Sequence, residues 1–101
     1  MSDEDGIARL RRRIDNLDAE LIRILNERAR CVLDIGAIKR ALGRPVYDPQ
    51  REKEIVEQAL RDNPGPLESE ALRRLFERLL DESRRLERLD AEEQRKEKDR
   101  S

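Results

Sequence analysis

The side chains in this chain that could do chemistry are arginines, a lysine, carboxylates and a serine, several of them standing where apolar residues belong. Counting in sevens from Ile7 gives one column of Ile7, Ile14, Leu21, Arg28, Ile35 and Leu42. A second, interleaved column holds Leu10, Leu17, Ile24, Cys31 and Ile38. Apolar entries recurring in both columns make the seam of a coiled-coil-like packing. Arg28 breaks that seam. A guanidinium cannot shed its proton, so burying it without an anion is costly. Either Arg28 meets an internal carboxylate or snorkels out of the seam, or it awaits an anionic ligand. Lys39 lies only about 20° from Arg28 around the helical wheel, roughly three turns along, and favours the ligand. Arg11 lies about 100° off that line and should face a different neighbour.

A second set of polar residues lies further along. The stripe Leu72, Leu75, Phe76, Leu79, Leu80, Leu86 and Leu89 is continued at helical spacing by Ser83 and Glu87. Glu52 sits one turn before Ile55 and Val56, at the head of another stripe. It reads equally as a capped surface acid or as a carboxylate aimed into the core, and Arg51 beside it is as open. Glu70/Arg74 and Asp81/Arg85 read as solvent-facing i,i+4 pairs.

The inventory excludes other chemistry. The chain has no histidine, which removes Ser-His and Cys-His catalysis and the common zinc sites. Its one cysteine, Cys31, lies in an apolar column and reads as a small buried hydrophobe, ahead of a nucleophile or disulfide partner. No glycine-rich phosphate loop occurs. The net charge of −1 gives no global attraction for nucleic acid or anionic membrane, and two aromatics, Tyr47 and Phe76, make no base-stacking platform. Without a long apolar run or a signal-peptide pattern, a soluble cytoplasmic protein is expected.

These residues need elements to position them. Only 36% of residues are hydrophobic and 47% are charged, which suits a helical bundle or a disordered chain, and the periodicity decides for helices. The first helix should run from Asp5 to Ala41, roughly 55 Å, and end near Gly43 in the left-handed position that follows a helix. Asp48 followed by Pro49 reads as an N-cap with proline at the first helical position, opening a second helix to about Arg61. Asn63-Pro64-Gly65-Pro66 is a turn, and a third helix follows from about Leu67. The single domain should span residues 1–90, with the charged tail 91–101 carrying no stripe and expected to fray. Two shorter helices cannot cover the long one, so its seam should pair with a second copy under two-fold symmetry. The expected fold is therefore all-α: three helices, the first very long, in an intertwined homodimer. Arg11 would then reach into the partner's site.

The run Leu10-Arg11, Ile14-Asp15, Leu17-Asp18, Leu21, Leu25, Glu27-Arg28, Ile35-Gly36 and Lys39 resembles the all-helical chorismate mutase family. The connector Arg44-Pro45-Val46-Tyr47-Asp48-Pro49-Gln50-Arg51-Glu52, then Leu75-Phe76 and Ser83, extend the likeness to about residues 7–90. The resemblance implies a dimer with two sites, each completed by an arginine from the partner. It also implies conversion of chorismate to prephenate, the step leading to phenylalanine and tyrosine in the shikimate pathway. In the matching positions Arg28 and the partner's Arg11 would clamp the substrate carboxylates, with Ser83 adding a hydrogen bond. Glu52, aided by backbone N–H near Asp48, would hold the ring hydroxyl, and Arg51 would add positive potential. Lys39 and Glu87 would flank the ether oxygen. The rearrangement is unimolecular and asks for no cofactor or metal, so the lack of histidine fits.

Glutamate at position 87 departs from family members that carry glutamine there. No dehydratase, dehydrogenase, synthase or regulatory segment is visible, so feedback by phenylalanine or tyrosine within this chain is not expected. Two other readings compete. One is a lyase of the same fold that splits pyruvate from isochorismate. The other is a non-catalytic coiled-coil adaptor, which leaves Arg28, Ser83 and Glu87 without a purpose.

Overall fold

The computed structural model describes residues 2–100, which form three α-helices: α1 (Asp3–Ala41), α2 (Pro49–Asp62) and α3 (Ser69–Arg100). Contacts divide the chain within α1, into a unit ending at Cys31 and a unit beginning at Val32.

The N-terminal unit is helical throughout from Asp3. It opens on a capping box. Ser2 Oγ accepts the Asp5 N–H at 3.2 Å, and the Asp5 carboxylate accepts the Ser2 N–H at 3.4 Å. The helix therefore starts at Asp3, ahead of the expected Asp5, with Asp3, Glu4 and Asp5 all in the first turn, at the positive end of its dipole. The seam residues Ile7, Leu10, Ile14, Leu17, Leu21 and Ile24 are all exposed in the single chain.

The second unit begins with the last turns of α1. That helix ends in a Schellman motif: Gly43 N–H donates to Arg40 O at 3.1 Å, and Arg44 N–H to Lys39 O at 2.8 Å. Gly43 has φ +68°, a conformation that would strain any side chain, so the expected glycine stop holds. Asp48 caps α2 by accepting the Arg51 N–H at 3.0 Å, and Pro49 takes the first helical position, as expected. The turn before α3 is closed by Asn63, whose Oδ1 accepts the Gly65 N–H at 3.0 Å and whose Nδ2 donates to Leu67 O at 2.9 Å.

Helices α2 and α3 pack on each other, and the buried aliphatic side chains of the core are Val56 and Leu80, 8% and 6% exposed. Helix α3 then continues to Arg100, well past Asp90, where the sequence predicts fraying. The apolar stripe does stop there, but Glu, Arg, Lys and Gln are good helix formers, and Glu92 precedes Lys96 at the favourable i,i+4 spacing. Among the described residues no helix is long and apolar enough to cross a membrane.

Candidate active site

The residues that come together lie in the second unit, where the end of α1, the connector, the start of α2 and the middle of α3 converge. Lys39 is the contribution of α1. Its side chain is only 18% exposed, and its ammonium donates to Val46 O at 3.4 Å and lies 4.0 Å from the Asp48 carboxylate. Asp48 thus serves two partners, the cation and the helix start. Arg40, next along, reaches across to α3 and pairs with Asp90 at 3.0 Å, which fixes the last turn of α1 against that helix.

Glu87 faces this end of α1 from α3. Its side chain reaches a glycine of α1: Gly36 is buried, and a Cβ placed on it would stand 3.8 Å from Glu87 Cγ. Burial pushes the Glu87 carboxyl above its ordinary pKa. Lys39 and Arg40 pull it back and Glu52 adds to the rise, and burial prevails. Lys39, Arg40 and Glu52 therefore all lie within electrostatic reach of Glu87. A cleft of about 200 Å³ opens at this place, lined by Arg40, Val46, Tyr47, Arg84, Glu87, Arg88 and Ala91.

Glu52 is turned toward α3. Its carboxylate is half-buried and accepts from Arg84 Nη1 of α3. The same guanidinium gives Nη2 to Asp81, and its Cζ lies 5.8 Å from the centre of the Tyr47 ring. The sequence pairs Asp81 with Arg85, one turn along; in the structure it pairs with Arg84 at i,i+3, since Arg84 is turned toward Glu52 by the charge there. Glu70 likewise pairs with Arg73 at 3.5 Å and not with Arg74.

The remaining expected residues are placed as follows. Ser83 is half-buried, and its hydroxyl donates to Leu79 O at 2.9 Å, the back-bond common for a serine inside a helix. Arg51 is exposed, and its guanidinium pairs with Glu54 at 3.7 Å. Arg28, half-buried, and Arg11, exposed, belong to the N-terminal unit. Arg84 and Arg40 are additions that the sequence does not single out. For Arg84 the available signal is its place directly after Ser83 on α3; for Arg40 it is adjacency to Lys39.

Residues 10–88 match the family model of chorismate mutase type II. Over 85 residues the chain is 40% identical to the bifunctional chorismate mutase/prephenate dehydratase of Pseudomonas aeruginosa, covering 79% of this chain and 23% of that protein. It is 36% identical over 53 residues to a chorismate mutase of Methanocaldococcus jannaschii, covering 52% of this chain and 54% of that one. The fold superposes on the solved chorismate mutase (form II) of Thermus thermophilus with a TM-score of 0.79 and 40% identity, over 81% of this chain and 93% of that one. The chain belongs to the chorismate mutase type II family. It spans less than a quarter of the length of the bifunctional relative.

Proposed function

We propose that the chain is a cytoplasmic chorismate mutase that converts chorismate to prephenate as a homodimer with two shared sites. The observation that carries this reading is Glu87: a carboxyl held toward its protonated form by burial, facing Lys39 across the end of α1. In the rearrangement the ether C–O bond of the enolpyruvyl arm breaks while a C–C bond forms to the ring, and negative charge gathers on the ether oxygen. A protonated Glu87 and the Lys39 ammonium are both donors to that oxygen, and pre-set donors of this kind lower the barrier most where charge develops. No proton needs to leave the substrate, and no covalent intermediate forms.

The other residues hold the dianion in its reactive, folded shape. Arg28 and the partner copy's Arg11 clamp the carboxylates, for which a planar fork suits better than an ammonium. Ser83 adds a hydrogen bond to a carboxylate. Glu52 accepts the ring hydroxyl, with backbone N–H near Asp48 assisting, and Arg51 adds positive potential. The shared site is supported by the exposure of Ile7, Leu10, Ile14, Leu17, Leu21 and Ile24, a stripe that a monomer would leave in water and a two-fold copy of α1 would cover.

The test is to incubate the protein with chorismate and, separately, with isochorismate, and to identify the products by NMR. Prephenate from chorismate is the expected outcome. Salicylate and pyruvate from isochorismate, with chorismate untouched, would assign the chain to the lyase reaction. Neither product would reject an enzymatic role.

A further inference from the structure

Arg84 is a side chain that touches α2, the connector and its own helix together. Nη1 donates to Glu52, Nη2 to Asp81, and the guanidinium face stands over Tyr47. Glu52 is the residue that this fork holds. A free glutamate side chain samples many rotamers, and fixing one costs conformational entropy that a ligand would otherwise have to supply. The pair is also partly withdrawn from solvent, with side chains 37% and 22% exposed, unlike the Arg23–Glu27 pair at 59% and 60%. Screening is weaker there, so the contact holds more firmly than a surface pair.

We propose that Arg84 is a positioning residue for substrate recognition: it orients the Glu52 carboxylate and offsets its charge, so that Glu52 can accept the substrate's ring hydroxyl. This rests on the chorismate mutase reading above. A carboxylate has room for about four hydrogen bonds, so Glu52 can keep Arg84 and accept a hydroxyl at the same time. The charge argument is independent of the geometry. An uncompensated Glu52 would repel a dianionic substrate, whereas a Glu52 paired with Arg84 offers an acceptor with little net charge. Asp81 holds the second nitrogen of the guanidinium, with the Tyr47 ring 5.8 Å from Cζ, so the fork that holds Glu52 is itself anchored.

The role predicts an effect on binding that depends on the hydroxyl. Arg84→Leu should raise KM for chorismate about tenfold, the factor expected for losing one charge-assisted contact, with kcat changed by no more than about twofold. Arg84→Lys, which restores the charge, should recover most of the loss. With a dianionic analogue that lacks the ring hydroxyl, Arg84→Leu should cost markedly less in kcat/KM than with chorismate, because only the charge repulsion remains. In the Glu52→Gln background, Arg84→Leu should add no further loss. Circular dichroism and thermal melts accompany each variant. If Arg84→Leu does not fold, Arg84→Gln, which keeps a donor but not the charge, is measured with the same expectations. An unchanged KM, or an equal loss on the hydroxyl-free analogue, would overturn the role of Arg84 while leaving the mutase reading intact. A wild-type protein that makes no prephenate would overturn both.

Discussion

Glu87 of α3 lies against the backbone of Gly36 in α1, so near that a Cβ on Gly36 would stand 3.8 Å from Glu87 Cγ and 3.4 Å from Arg40 Nη1. These are ordinary van der Waals separations, and the nearer atom ends a flexible side chain. An alanine therefore fits. Gly36→Ala should raise stability by up to about 1 kcal/mol through helix propensity, or roughly 4–8 °C in Tm for a domain of this size. A thermal melt checks it; a fall in Tm would mean the α1–α3 approach has no slack.

Activity should fall as pH rises through the pKa of Glu87. Burial raises that pKa, so the protonated donor persists to higher pH than for an ordinary glutamate, and its loss removes a hydrogen bond to the ether oxygen. The pair of kcat/KM profiles for wild type and Glu87→Gln, from about pH 5 to 9, reads this directly, since the amide donates at any pH. The glutamine variant should keep substantial activity and lose the alkaline decline. A level wild-type profile, or the same decline in the variant, would remove Glu87 as the donor.

Stability has a matching pH signature. With the folded pKa above the unfolded one, the native state binds more protons between the two, so the contribution of Glu87 is fully present below the unfolded pKa. It is lost as pH rises through the folded pKa. Denaturant midpoints of wild type minus Glu87→Gln should accordingly drift downward with rising pH over that window. A difference that is flat or rises would contradict the direction of the shift.

Arg28→Leu returns an aliphatic side chain to the heptad column and is expected to keep helix content and assembly. Losing a bidentate clamp on a substrate carboxylate should lower kcat/KM by about a hundredfold or more. Turnover near wild type in the leucine variant would remove Arg28 from the site.

Much of the fold is legible in the sequence because it depends on local spacing. The long first helix, the glycine stop at Gly43 and the Asp48–Pro49 helix start each rest on neighbouring residues, and the structure contains all three. The Ser2–Asp5 box is equally local, but its carboxylate is hidden among several acids that all suit a helix start. Beyond Asp90 the apolar stripe is silent, because it says nothing about a helix carried by propensity alone. The Arg84–Glu52 and Arg40–Asp90 pairs join residues far apart in the chain, and their meeting depends on how helices are set against each other, which no single-helix periodicity contains.

The most direct test of the central claim mixes two inactive variants. Arg11→Ala and Arg28→Ala homodimers should each lose nearly all prephenate formation. Unfolded together in equal amounts and refolded, about half the dimers should be mixed. Each mixed dimer holds one site with Arg28 from one copy and Arg11 from the other, so about a quarter of wild-type activity should return. No recovery above the separate variants, with dimers formed, would contradict a site completed by the partner's arginine.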